Sequence, residues 1–338
     1  MPKTILRIEK LLGFPWPTQN PFLFCVHHLD FYPRGNDNLG PDASLEGRNA
    51  GNDFIVKDGW RMYHGTKVPG FPVHPHRGFE TVTFVLQGFV DHADSDGAAA
   101  RYGERDVQWM SAGSGLQHSE MFPLLNQNKE NTLELFQIWL NLPAEKKKGK
   151  PAFKMLWGET IPSPVFYSDN KKQTRVDIVA GQIEDFRAPE PVPASWAFNK
   201  ENEVAIWQIS MEENASWEIP AARQKINRSL YFFEGDSIQI NKEKIAVNHL
   251  IELDSAQKII LHNENKPARL LLLQGKPIDE PVIQYGPFVM NSKMEIEQAF
   301  ADYKRTQFGG WPWPEQEQVH NKNLGRFVNK GDGTEIVK

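Results

Sequence analysis

One cysteine, Cys25, serves a chain of 338 residues. An internal disulfide is therefore impossible, and a reducing compartment is expected. Leu23, Phe24 and Val26 read as a buried strand around it, which argues against a catalytic thiol. Also missing is any apolar run near the roughly 20 residues that span a bilayer. Charges interrupt Ile5, Leu6 and Ile8 at the N-terminus, so no secretory leader is expected. A monomeric cytoplasmic protein without membrane contacts is the expectation. Positive charge is scarce as well: the net charge is −5, and no contiguous Lys/Arg stripe exists to neutralise phosphates, which excludes direct nucleic-acid binding. The one basic cluster, Glu145-Lys146-Lys147-Lys148-Gly149-Lys150, reads as a solvated loop.

What is present is turn-forming residues, 25 glycines and 24 prolines, in a chain with 40% hydrophobic and 24% charged residues. Such a chain is soluble and ordered, with strands and loops outweighing helices. Its length exceeds what one core usually supports, so two domains are expected. Short β-rich segments recur from Trp60 to Leu142: Thr81 to Leu86, Phe89 to His92, Asp106 to Met110 and Leu133 to Leu142. A second set runs through Val204 to Met211, Leu230 to Phe233, Ser237 to Ile240, Ile245 to Leu253, Lys258 to Leu261 and Ala268 to Gln274. The halves look like copies of one sandwich or barrel architecture. Between them, prolines at every second position from Pro189 to Pro193 suggest a stiff crossing. The expected domains are 1–190, 196–290 and a helix with tail at 291–338. Ser292 and Glu295 form a capping box for that helix, Ile296, Ala299, Phe300 and Tyr303 share one face, and Gly309-Gly310 stops it.

Two short motifs carry the chemistry. His74-Pro75-His76 and His118-Ser119-Glu120 each place two ligand-type side chains two residues apart, on one face of a strand. Brought together, three imidazoles and a carboxylate suit a borderline divalent metal rather than calcium or magnesium. Alone, a His-x-His pair is as readily surface or core histidine; the second pair, beside Gly113 and Gly115, tips the reading to metal. Glu80 competes with Glu120 as the fourth ligand and ranks below it, since Gly78 can turn the chain between it and His76. His27 and His28 point to opposite strand faces and read as structural. The second half has only His249 and His262, so no metal is expected there.

These strings resemble a known family. H-P-H-R-G-F-E-T-V at 74–82, Q-W-M-S-A-G-S-G-L-Q-H-S-E-M at 108–121 and L-F-Q-I-W-L-N-L-P at 135–143 are similar to pirins, a family within the cupins. The resemblance implies an all-β bicupin: two cupin-type antiparallel β-barrel or jelly-roll domains with a C-terminal α-helix, metal in the first and none in the second. It implies His74, His76, His118 and Glu120 as metal ligands, usually of Fe(II), with Cu, Ni, Co, Mn or Zn as other divalent ions; Glu80 is then no ligand. Some pirins resemble quercetin 2,3-dioxygenases, which implies a flavonol-like small molecule and O2 as partners; for that reaction Glu120 is expected to act as general base as well as ligand, detaching partly from the metal. Other pirins are metal- or redox-dependent regulators, which implies instead a protein partner and no catalysis. Trp109, Met110 and Met121 are expected beside the site under either reading.

Overall fold

The computed structural model describes residues 3–223, 226–331 and 335–337. Its strands form two compact units. No helix among the described residues is long and apolar enough to cross a membrane.

The first unit comprises 1–26, 138–142 and 159–279. Its larger sheet has seven strands in the order Ile5–Lys10, His249–Leu253, Asn227–Glu234, Ala268–Gly275, Ala205–Met211, Gln173–Ala180 and Val165–Tyr167. The smaller has four, ordered Ser216–Ile219, Ile259–Asn263, Ser237–Ile240 and Glu243–Ala246. Alternation in Ile259, Ile260 and Leu261 puts the first and third inside and leaves Ile260 exposed, the period-two signature of a half-buried strand. Trp207, Ile209, Leu230 and Phe232 from the large sheet share one core with Ile238, Ile240, Ile259 and Leu261 from the small one. Each such side chain contributes about 1.5–3 kcal/mol on burial.

The strand expected over Ile245 to Leu253 is in fact two. Glu243–Ala246 belongs to the small sheet and His249–Leu253 to the large one. Asn248, left-handed at φ 61°, turns the corner between them, a conformation asparagine tolerates better than most residues.

The second unit comprises 27–137, 143–158 and 280–338. One sheet has five strands, ordered Ala152–Leu156, Val107–Ser111, Phe79–Gln87, Asn131–Asn141 and Phe22–Tyr32. The other has six, ordered Glu335–Val337, Phe327–Asn329, Ala99–Gly103, Phe89–Asp94, Leu116–Met121 and Gly70–His76. Val85, Leu133 and Leu135 of the first sheet and Val90, Ala100 and Tyr102 of the second bury into a common core. In both units the sheets stay open, so the fold is the jelly-roll form rather than a closed barrel.

The helix Lys293–Thr306 forms as its capping signals require. Ser292 Oγ accepts from the Glu295 backbone N–H at 3.3 Å, and the Glu295 carboxylate accepts from the Asn291 N–H at 3.2 Å. Ile296 and Ala299 are buried and Tyr303 partly so, while Phe300 sits at the rim against Phe288, with ring centroids 4.8 Å apart. The helix ends earlier than the glycine pair, because Gln307 already takes the left-handed conformation at φ 50°.

Candidate metal centre

The candidate ligands stand on two neighbouring strands of the six-stranded sheet, Gly70–His76 and Leu116–Met121. His74 lies directly opposite His118 in the antiparallel register, and His76 opposite Leu116. The register slips between Phe71 and His74, so Glu120 faces Phe71. On its other side, Leu116–Met121 pairs with Phe89–Asp94, which sets His92 opposite Glu120 and Asp94 opposite His118. Strand parity therefore collects His74, His76, His118, Glu120, His92 and Asp94 on one face.

One ring nitrogen from each of His74, His76 and His118 lies within 4.8 Å of the other two. Glu120 stands slightly apart, its Oε2 3.8 Å from His118 Nε2. The structure thus brings three of the four expected ligands into one tight group, with the carboxylate adjacent. His76, His118 and Glu120 are buried, and His74 is half-buried on the edge strand.

Burial sets the protonation of this cluster. It lowers the His74 pKa to about 4, and it holds His76 and His118 well below the usual imidazole range, with the neighbouring imidazoles adding to the shift. Neutral imidazoles are the form that binds a metal. His74 Nδ1 lies 2.8 Å from the Pro72 carbonyl, which fixes its tautomer as an Nδ1–H donor and leaves Nε2 with its lone pair. His76 has a hydrogen bond to the Pro287 carbonyl. His118 is the telling member: both of its ring nitrogens are buried and neither has a hydrogen-bond partner. Two orphaned polar atoms in a core are costly unless something else satisfies them. A divalent cation would satisfy one of the two, and three imidazoles with a carboxylate are a donor set that suits such an ion.

Glu120 is held from the facing sheet. Gln137 Nε2 donates to its Oε2 at 2.8 Å, and Thr83 Oγ1 lies 3.0 Å from its Oε1 and 2.9 Å from Gln137 Oε1. Burial raises the Glu120 pKa, while His92, Thr83, Gln137 and Tyr102 oppose the rise. Sequence reasoning missed Thr83, Gln137 and His92. Their only signal was strand parity, and using it requires knowing which strands face one another.

Glu80 goes elsewhere. It begins the Phe79–Gln87 strand of the other sheet, three residues from Thr83, and so lies on the opposite strand face from the residue that meets Glu120. Gly78 makes the turn between the strands at φ +83°, where a Cβ would come 2.0 Å from the Val289 carbonyl oxygen. Trp109, opposite Val82, and Met121, one residue from Glu120, likewise fall on faces turned from the cluster, whereas Met110 shares the parity of Thr83. All three are fully buried. His27 and His28 prove structural, lying 2.8 Å from Glu134 and from the Tyr63 hydroxyl.

The rim beside His76 is closed by the C-terminal arm. Arg77 donates through Nε to the Ser114 carbonyl at 2.6 Å and through Nη1 to Asp302 at 2.9 Å, with its guanidinium 4.7 Å from the Phe308 ring centre. Phe308 packs so closely over Gly115 that a Cβ there would meet the ring at 2.7 Å. The basic cluster at 146–150 is not wholly solvated as expected. Lys147 is fully buried and donates to the Gly78 carbonyl at 2.7 Å, and burial lowers its pKa to about 8. Its long stem lets the ammonium reach inward while Lys146 and Lys148 stay in water.

Two antiparallel jelly-roll units, one of them with a histidine cluster between facing sheets, define a bicupin. Family models agree in both halves: one described as pirin matches residues 40–140, and one described as the pirin C-terminal cupin domain matches 206–309. A Vibrio cholerae protein that carries the provisional name quercetin 2,3-dioxygenase is 33% identical over 310 residues, covering 90% of this chain and 92% of its own. Pirin-1 of Arabidopsis thaliana is 34% identical over 245 residues, 71% of this chain and 78% of its own. The chain belongs to the pirin family. A crystal structure of quercetin 2,3-dioxygenase from Acinetobacter baumannii superposes with a TM-score of 0.69 at 23% identity, over 91% of this chain and 98% of that one, which bears on the fold alone.

Proposed function

We propose that this protein is a mononuclear iron dioxygenase that opens a flavonol such as quercetin with O2, its metal held by His74, His76, His118 and Glu120. The observation that carries the reading is the convergence of three neutral imidazoles, two of them buried and one half-buried, with both ring nitrogens of His118 unpartnered. The names of relatives add the substrate class. When bound, the ion supplies positive charge for the 3-oxyanion of the flavonol and redox contact with dioxygen.

The chain supplies the proton acceptor. Burial raises the Glu120 carboxyl pKa, a shift that a coordinated cation would oppose. Oε2 is the carboxylate oxygen on the side of the imidazoles, 3.8 Å from His118 Nε2, so Glu120 must detach partly from the metal to take up the 3-hydroxyl proton. The Gln137 N–H keeps that oxygen in place, and the Thr83 hydroxyl, which has one proton to give, is shared between Glu120 Oε1 and the Gln137 carbonyl. His74, on the edge strand, is the most accessible of the imidazoles and marks the side from which substrate reaches the cluster.

The test is elemental analysis of the purified protein followed by addition of quercetin and O2 to its iron-loaded form. Loss of the flavonol absorbance with release of carbon monoxide is expected. Glu120→Gln with unchanged metal content should abolish turnover. Iron-loaded protein that leaves quercetin intact overturns the proposal in favour of a regulatory role. Against that role, Trp109, Met110 and Met121 are too buried to form a docking surface.

A further inference from the structure

The first unit has no histidine cluster among its described residues, yet it contains a cavity of about 260 Å³. Its walls include Ala205, Trp207, Pro189 and Pro191, and its polar lining includes Arg228 and Gln274. Arg228 stands on the Asn227–Glu234 strand, opposite Gln274 of Ala268–Gly275. Only 1% of it is exposed.

A guanidinium has five N–H donors, and this one uses few of them. Nε donates to Gln274 Oε1 at 2.7 Å and Nη2 to the Pro220 carbonyl at 3.0 Å. Nη1 is buried and has no hydrogen-bond partner among the described residues. Among the described residues no carboxylate hydrogen-bonds to the group. Glu203, which also lines the cavity, accepts from the Arg223 backbone N–H at 3.2 Å instead. Burial lowers the Arg228 pKa to about 10, against the through-space attraction of Glu203 and Asp254, neither of which hydrogen-bonds to it among the described residues. A buried cation of this kind is expensive for a fold to keep unless an anion completes it. Gln274 and Pro220 fix the plane of a guanidinium that lines the cavity and leave Nη1 unused among the described residues; the fork of a guanidinium matches the two oxygens of a carboxylate.

We propose that this cavity binds a small organic carboxylate, its two oxygens on the Nη edge of Arg228 and its apolar body against Trp207, Ala205 and Pro189. The site is independent of the metal reading, since none of its residues belongs to the second unit.

Isothermal titration of the purified full-length protein with benzoate, and with benzamide as the uncharged isostere, tests the proposal. Benzoate should bind and benzamide should not. Arg228→Met should weaken benzoate by at least roughly tenfold, the scale of one charge-assisted hydrogen bond. His118→Ala should bind benzoate as the parent does, which separates this site from carboxylate capture at a metal. Arg228→Lys keeps the charge without the fork and should also bind less tightly, so it serves if the methionine variant fails to fold. A crystal of the parent protein soaked in benzoate should show the carboxylate against Nη1. No binding, equal binding of benzamide, undiminished binding by the folded Arg228 variants, or density elsewhere would each overturn the assignment.

Discussion

Arg101 offers a sharp test of how the C-terminal tail is held. All five of its N–H donors are used: Nε and Nη2 reach the two oxygens of Asp91 at 2.6 and 2.7 Å, and Nη1 and Nη2 reach the carbonyls of His320, Asn321 and Leu324 at 2.9–3.0 Å. Neither Arg101 nor Asp91 is exposed. Arg101→Met removes the cation and leaves Asp91 buried with the His320 backbone N–H, 2.8 Å away, as its remaining donor at the tail. Breaking a buried pair by deleting one partner costs about 3–5 kcal/mol, a large share of the roughly 5–15 kcal/mol that domains possess. Three tail carbonyls lose their donor as well, so part of the loss should appear as release of 320–324. Urea denaturation should report the stability change, and limited proteolysis with mass spectrometry should find new cleavage near Leu324. Adding Asp91→Leu should recover much of the loss, because the penalty belongs chiefly to the orphaned carboxylate. A single variant that loses under about 1 kcal/mol, or a double variant worse than the single, would refute the reasoning.

Further expectations concern the cluster, the arm and the turn between sheets. Gln137→Leu removes the N–H that holds Glu120 Oε2 and should weaken metal binding by about 10–100-fold in a competitive chelator titration; unchanged affinity would separate Gln137 from the centre. Asp302, held by Arg77, Gln298 and Arg305, has its pKa lowered from 3.8 to about 2. Because the folded value is the depressed one, its contribution is complete above pH 3.8 and fades as pH falls toward 2. Carbon-13 NMR of the Asp302 carboxyl should therefore show a midpoint near 2, and a midpoint at the ordinary value would discount the Arg77 contact. Gly78→Ala and Gly310→Ala share a positive φ, +83° and +84°, but only the first drives a Cβ into backbone, the second meeting nothing within 4 Å. Gly78→Ala should cost at least about 2 kcal/mol more in urea midpoint analysis, and equal costs would show that the Val289 contact yields freely.

Much of this was legible in the sequence because strand parity is strict. Two residues apart means one face, so His74 with His76 and His118 with Glu120 could be paired before any fold was known, and the capping box at Ser292 located the helix. What parity cannot supply is the partner strand. Thr83, Gln137 and His92 enter the neighbourhood of Glu120 only through sheet order and facing layers, which are long-range facts. The slip between Phe71 and His74 was invisible for the same reason. Composition misled at Lys147, where a cluster that reads as solvated hides one buried ammonium. At Asn248 a β-rich run concealed a corner, since local propensity does not say which sheet each half joins.

The unit that carries the three imidazoles draws strands and a helix from residues 280–338. During translation, those residues leave the ribosome after residues 27–279. The Arg77 rim, the Pro287 contact to His76 and the tail anchored on Arg101 can therefore form only after the rest of the polypeptide has been made. A nascent chain stalled before Glu280 would expose these histidines without the enclosure that residues 280–338 supply.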